Sequence, residues 1–188
     1  MENINFANLD EMNFEQFFKE ITPEEIPINV FTLVGKDFYA VTAGRKEHYN
    51  SMIGSGGGMG VLFKKPATWC IFQSKRYTLE LILKEHTYTI SYFPSEYRKQ
   101  MLFLGSKSGR DSDKMKETEL TSIETSSGNM TFKEACLIIE CKLTQLTTPM
   151  ADDFVSQEAK AYVDDAYKDA NEQRIYTFGD ITHVWVKK

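Results

Sequence analysis

Asn50-Ser51-Met52-Ile53-Gly54-Ser55-Gly56-Gly57-Gly58-Met59-Gly60 places five glycines within seven residues, just ahead of a strand-like run. Glycine in such a segment lets backbone N–H groups approach a ligand that a Cβ would hold away. The pattern is neither GxGxxG after a strand nor GxxxxGK[ST], so the dinucleotide-fold and P-loop readings both fail. A flexible hairpin loop would use the same residues.

Upstream of this segment, Val30–Val34 and residues 37–42 read as short strands around a turn at Gly35-Lys36. Further back, Phe14, Phe17, Phe18 and Ile21 follow the i, i+3, i+4, i+7 spacing of a helix with one apolar stripe, closed off by Pro23 and Pro27. That acidic N-terminal segment is expected to pack as a lid or a dimer contact. Downstream, Ala67–Gln73 reads as a buried strand with Trp69 and Ile71 on one face. Ser74 stands as N-cap of a helix from Arg76 to Glu85 with a stripe of Leu79, Ile82 and Leu83, and Thr87–Phe93 alternates as a strand. Ser95–Leu104 reads as a helix ending at Gly105, followed by a polar loop from Ser106 to Asp113. Glu134–Thr147 is strand-like, Asp152–Asp169 helical with an acidic outer face, and Arg174–Lys187 two strands turning near Gly179-Asp180. Six or more strands without regular βαβ alternation predict a mainly β (α+β) fold, an antiparallel barrel or sandwich with peripheral helices.

The 188 residues are 41% hydrophobic and 26% charged, ordinary for one globular domain that buries roughly 70% of the surface of its unfolded chain. The organisation that follows is an N-terminal helical extension over residues 1–27 and a domain over 28–188. A formal charge of −5, from 22 Lys and Arg against 27 Asp and Glu, gives no field to attract phosphate polymers or anionic membranes. Nucleic acid and membrane partners are therefore not expected, and an oligonucleotide-binding barrel is disfavoured. No apolar stretch approaches the ~20 residues of a membrane span, and Met1–Asp10 does not read as a signal peptide, so a cytoplasmic protein is expected. Cys70, Cys136 and Cys141 are odd in number, lack a CxxC pair and have no histidine cluster nearby. That predicts reduced structural thiols and no metal site.

Two further stretches carry chemistry. Ser74-Lys75-Arg76-Tyr77-Thr78, between a strand and a helix, gathers free N–H groups, hydroxyls and two cations where a phosphate monoester would be satisfied, although an ordinary capped helix would use the same residues. Gly105-Ser106-Lys107-Ser108-Gly109-Arg110-Asp111-Ser112-Asp113-Lys114 would cover a polyhydroxylated chain or a second phosphate, or else form a solvated turn. His48, His86 and His183 are scattered and no serine sits in a nucleophile elbow, so no catalytic residue is assigned. Tyr77, Tyr92, Phe93 and Trp185 would wall a flat ring, but aromatics in strands are core residues more often than cofactor contacts.

In order along the chain, these stretches resemble the flavin reductase-like, FMN-binding split-barrel family, in particular its flavoredoxin-like branch, from about Ile28 to the C-terminus. The resemblance is carried by Val41-Thr42-Ala43-Gly44, Asn50-Ser51-Met52, Gly57, Gly58 and Gly60, and Lys65-Pro66. It continues through Arg76-Tyr77-Thr78, Gly105-Ser106, Ser108-Gly109-Arg110-Asp111, Asp113-Lys114, Glu134-Ala135 and Glu140-Cys141. It implies a six-stranded split β-barrel, a homodimer, and FMN held near the subunit interface against the Gly-rich loop. On that carry-over Asn50, Ser51, Met52, Ile53, Ser55 and Gly56 lie along the flavin and its ribityl chain. Arg76 and Thr78 hold the phosphate, with Ser74, Lys75 and Tyr77 beside them, and Ser108, Gly109, Arg110 and Lys114 approach the ribityl and phosphate end. The chemistry implied is that of the cofactor: electrons pass from NAD(P)H through FMN to a small acceptor or a partner protein. Five positions depart from the family pattern: Ile53 stands for a Thr, Gly56 for a Trp, Gln73-Ser74 for Arg-Pro, and Gln173 for a His before Arg174-Ile175-Tyr176. These departures frame two alternatives, an FMN electron-transfer protein without direct NAD(P)H activity and a flavin-free ligand-binding barrel.

Overall fold

A computed structural model describes residues 13–35, 38–166 and 173–188. The principal sheet is antiparallel and is built from β1 (Phe18–Ile21), β2 (Tyr39–Arg45), β3 (His48–Gly54), β4 (Gly57–Leu62), β5 (Lys65–Gln73), β6 (Thr87–Tyr92), β9 (Leu137–Thr147) and β10 (Arg174–Lys187). A separate hairpin pairs β7 (Ser122–Glu124) with β8 (Met130–Phe132). The helices are α1 (Phe14–Phe17), α2 (Val30–Gly35), α3 (Tyr77–Glu85), α4 (Arg98–Ser106), α5 (Lys114–Glu117) and α6 (Gln157–Ala166). The mainly β class is the one expected, and the sheet carries eight strands where six were anticipated.

Strand order is β3-β2-β6-β9-β10-β5-β4, with β1 also on β10. Thus β3 and β4 lie at opposite ends of the path, yet only Ser55 and Gly56 join them. So short a link spans at most about 11 Å between the flanking Cα atoms, which obliges the sheet to curl until its two ends approach. No ladder joins β3 to β4, so the barrel remains split. Alternation gives the sheet two apolar faces. Tyr39, Val41, Ile90, Leu137, Ile139 and Val184 pack with Leu33 of α2 and Leu79 and Ile82 of α3. Ala40, Ile138 and Trp185 turn the other way, against Phe14, Met101, Leu104, Ile123 and Phe132.

Local sequence signals yielded to these contacts at several places. Residues 14–21 are not one helix, because β1 takes up hydrogen bonds on the edge of β10, with Phe18 opposite Lys187 and Ile21 opposite Val184. Phe14 then stacks on Phe18 at 4.7 Å and meets Trp185 edge-on at 5.1 Å. Val30–Val34 is helical rather than extended, since the Asn29 side chain accepts from the N–H of Phe31 at 2.9 Å and caps the turn, a stronger local device than β-branched composition. The expected turn at Gly35-Lys36 and the strand start at 37 lie partly outside the described residues, as does the end of the helical stretch expected to Asp169. Leu83 is 43% exposed, and the buried face of α3 is Thr78, Leu79, Leu81 and Ile82. Residues 95–97 form a 3-10 turn leading into α4, which runs through Gly105 to Ser106 because Gly105 seats against Ile53. Gly179 is no turn. It absorbs a bulge between Phe178 and Gly179 that lets β10 run on, and a Cβ there would lie 2.5 Å from the Tyr88 hydroxyl.

Trp69 and Ile71 do share a face of β5, the less buried one, while Thr68, Cys70 and Phe72 point into the core. Burial pushes the Cys70 thiol up to about 12, and the buried Cys141 thiol rises for the same reason. His86 occupies the left-handed position ending α3, and His183 stacks on Trp185 while pairing with Glu20 at 2.7 Å. Among the described residues no helix is long and apolar enough to cross a membrane.

Because Phe14 covers Trp185 from outside the sheet, Phe14→Ala should lower stability by about 3 kcal/mol. Urea denaturation measures this, and a loss below about 1 kcal/mol would show that α1 contributes little to the fold.

Candidate functional site

The ladder between β5 and β10 ends with Gln73 opposite Arg174, and the next residues close it: Ser74 N–H donates to Gln173 O at 2.8 Å, and Gln173 N–H donates to Ser74 Oγ at 3.1 Å. Ser74 is thereby consumed by the sheet and does not cap α3. The cap position falls to Arg76, whose side chain makes no capping hydrogen bond. The leading N–H groups of α3, those of Tyr77 and Thr78, lie ahead of any intrahelical acceptor and carry the positive end of the helix dipole.

This helix end opens onto a cavity of about 210 Å³ between β3, α3, the C-terminus of α4 and the loop before α5. Met52, Ile53, Leu104 and Gly105 give its walls an apolar part. Lys75, Arg76, Lys107, Arg110 and Lys114 bring five cations, and among the described residues no carboxylate lines it. In a chain of net charge −5 that concentration of cations is a specific electrostatic feature. Asn50 also lines it, 3% exposed, its Nδ2 donating to Thr78 Oγ1 at 2.8 Å. Gly109 lies so close to Asn50 that a Cβ would come 2.2 Å from its Oδ1, which fixes the loop against β3.

The cations are held differently. Arg110 donates to Lys75 O at 2.7 Å, pairs with Glu80 and lies 5.3 Å over the Tyr77 ring. Lys107 pairs with Glu117. Lys114 is 3% exposed and has no carboxylate partner. Its ammonium donates to Leu104 O at 2.8 Å and Lys107 O at 3.1 Å, the last carbonyls of α4 and the loop. Burial, followed by the nearby Arg76 guanidinium, pulls Lys114 down to about 8. A buried ammonium with a third N–H to spare, next to an uncapped helix N-terminus, is a site built for an anion.

Of the residues singled out from sequence, the cavity brings together Asn50, Met52, Ile53, Lys75, Arg76, Tyr77, Thr78, Ser108, Gly109, Arg110 and Lys114. It leaves out four. Ser51 is fully buried and bonded to Thr42 at 2.9 Å, and Ser74 is taken by Gln173. Ser55 and Gly56 make the β3–β4 link, where Tyr39 OH donates to Gly56 O at 2.6 Å. The glycines after them belong to β4, and Gly58 lies flat under the Trp69 ring, so here the run packs under Trp69 on the less buried face of β5. Tyr92, Phe93 and Trp185 are core, and only Tyr77 of the four aromatics lines the cavity. Leu104 and Lys107 also line it. Their signal in the sequence was weak, because Leu104 read as a helical core residue and Lys107 as one cation of a polar loop.

Among solved structures the chain is similar to an FMN-binding protein from Thermus thermophilus, at 19% identity over 89% of this chain and 77% of that one, with a TM-score of 0.62. It is similar to flavoredoxin from Methanosarcina acetivorans at 17% identity, over 87% and 76% of the two chains, TM-score 0.61. A third similar structure is the FMN-binding domain of a flavin reductase-like enzyme from Shewanella baltica, at 13% identity over 90% and 76%, TM-score 0.64. At such identities the shared property is the split-barrel fold. No match was found among curated protein sequences. Residues 33–187 match the flavin reductase like domain, and the chain belongs to that family.

Proposed function

We propose that the chain is an FMN-dependent oxidoreductase of the flavin reductase and flavoredoxin type, acting as a cytoplasmic homodimer that takes electrons from NAD(P)H and passes them to a small acceptor or a partner protein. The observation that carries this reading is one cavity that joins five cations and an uncapped helix N-terminus to the apolar side chains of Met52, Ile53 and Leu104. A flavin mononucleotide combines the same two kinds of surface, an anionic phosphate and an apolar ring. The Arg76 guanidinium, the N–H groups of Tyr77 and Thr78 and the Lys114 ammonium would hold its phosphate. Asn50 and the Ser108-Gly109 backbone would meet the ribityl hydroxyls, and Met52, Ile53 and Leu104 would take an edge of the ring. Bound flavin supplies the hydride and single-electron chemistry that no side chain of this cavity offers. The protein's part is to bind, to orient and to exclude water.

Gln173, where the family pattern has a His, favours a second reading, an electron-transfer flavoprotein that another protein reduces. Its backbone is engaged with Ser74, next to Lys75 in the chain. A flavin-free barrel would leave the buried, carboxylate-free Lys114 without a purpose.

The purified protein should be yellow and release FMN on heating, and a colourless protein that fails to bind added FMN would overturn the reading. Arg76→Ala should weaken FMN at least about tenfold, the effect of one lost charge-assisted contact. Full retention would remove Arg76 from the phosphate site. Stopped-flow oxidation of NAD(P)H separates the two redox readings, since a protein reduced only by a partner oxidises neither nucleotide at a catalytic rate.

Affinity should also depend on pH through Lys114. Free Lys114 loses its proton as pH rises through about 8, whereas a bound phosphate favours the ammonium, so FMN affinity should fall between pH 7 and pH 9.5. Fluorescence titrations of Lys114→Met should show weaker binding and a flatter slope over that range. A slope parallel to the wild-type one would assign the effect to another group.

A further inference from the structure

The stretch from Thr148 to Gln173, between β9 and β10, differs from the rest of the molecule in charge and in packing. It carries seven of the 27 acidic residues and two of the 22 basic ones, which accounts for the whole net charge of −5 and leaves the other 162 residues balanced at 20 of each sign. Its helix, α6, is also the only one of the six α-helices that buries no side chain among the described residues. A helix of ten residues is marginal alone in water, and in proteins it draws its stability from an apolar face packed on a neighbour. Here the apolar side chains stay in solvent: Val155 is 98% exposed, Tyr162 73% and Met150 67%, and Leu146 near the end of β9 is exposed as well. We infer that α6 and the turn before it form the docking face for a protein with a basic surface, the one with which the site exchanges electrons. The role of that partner rests on the flavin reading, whereas the face itself does not.

Charge selects the occupant. Asp152, Asp153, Glu158, Asp164 and Asp165 alternate along the chain with the exposed apolar residues. Lys160, paired with Asp164 at 2.6 Å, is the one cation among the described residues of the stretch. Nucleic acid and anionic membranes are repelled by such a face. A second copy placed two-fold on it would set carboxylate against carboxylate, and that copy's own cationic cluster is taken up by the phosphate in the flavin reading. A basic protein surface with an apolar centre meets both parts of the face, the apolar side chains supplying the contact and the carboxylates the steering.

The position of the face suits an electron partner. Tyr162 of α6 is within electrostatic reach of Arg174, and Arg174 of Arg76, which lines the cavity. A protein seated on α6 is therefore held on the side of the molecule that carries the site. Exposed carboxylates there raise the local concentration of a cationic partner, and the apolar side chains among them keep it once it has arrived.

The test uses ferric cytochrome c, a small basic haem protein, as the probe. Calorimetry measures its binding to the purified protein, and stopped-flow follows its reduction, in which each two-electron-reduced FMN passes one electron to each of two ferric haems, returns to oxidised FMN and releases two protons. Affinity and rate should both fall at least about tenfold between about 10 mM and about 200 mM salt. The triple variant Glu158→Gln, Asp164→Asn, Asp165→Asn should bind about tenfold more weakly at low salt, and Tyr162→Ala about threefold more weakly at high salt. Neither change should lower FMN content or slow the reduction of ferricyanide, a small anion. A control that turns Glu15, Glu24 and Glu96, three exposed carboxylates on other elements, into Gln should stay within about twofold of the wild type. Unchanged binding by the α6 variant, or an equal loss in the control, would overturn the inference. So would an α6 variant that loses its dimer in sedimentation while binding cytochrome c normally, which would give the face to a second copy. If the protein holds no flavin, the flavin reading fails and calorimetry alone decides: binding that the α6 variant loses upholds the docking face, and no binding ends it.

Discussion

Everything in the molecule hangs on the ability of β10 to remain one strand for 14 residues. Its first half pairs with β5, its second half with β1, and β9 runs along it almost throughout. An uninterrupted ladder of that length would twist too far to serve all three neighbours, and the bulges at Phe178/Gly179 and Ile181/His183 redirect it midway. The Asp180 carboxylate steadies the bend, accepting from Lys65 Nζ and Thr144 Oγ1, each at 3.0 Å, and these contacts hold its pKa below the ordinary carboxylate value. The exposed geometry of Lys65 makes that ion pair a modest contribution, so the ladder itself carries the bend.

The same strand sets the site. Where the β5–β10 ladder stops, Ser74 and Gln173 satisfy each other's backbone groups, and the chain must leave the sheet with α3 uncapped. An N-terminus of this kind is ordinarily a liability, and Lys114, buried without a counter-charge, is a second one close by. Because folding lowers the affinity of Lys114 for its proton, the ammonium opposes folding below pH about 8. That penalty is relieved as pH rises toward the ordinary lysine value of 10.5. An anionic ligand such as the proposed flavin phosphate would return that free energy on binding.

The fold supports this strain through two apolar layers. The face of the sheet toward α2 and α3 is nearly all aliphatic and aromatic, while β6 turns Thr89 and Ser91 the other way to bond Met130 O and Thr131 at 2.7 and 2.8 Å. Those buried bonds tie the β7–β8 hairpin to the sheet. The cavity walls are therefore drawn from elements that each have an independent anchor: β3 through β2, α3 through Ile82 and Leu79, α4 through Leu104 and Met101. Gly109 and Gly105 bring the loop and α4 onto β3 at distances a side chain would forbid.

Much of this was legible in the residues. The apolar run of Ala67–Gln73, the alternation of Thr87–Tyr92 and the helix after Arg76 are local periodicities, and local periodicity survives folding when burial agrees with it. The ordered motifs around Asn50, Arg76 and Ser108 identified the family for a related reason, since they were read as a set along the chain. Sequence by itself therefore determined the mainly β class, the family and eleven of the residues that line the cavity. Only tertiary structure decided that Phe18–Ile21 is a strand, that Ser74 belongs to the sheet, and that Lys114 has carbonyls and no carboxylate for company. Each of these depends on a partner tens of residues or more away, or on what the final packing excludes. Side-chain spacing along the chain carries no information about either.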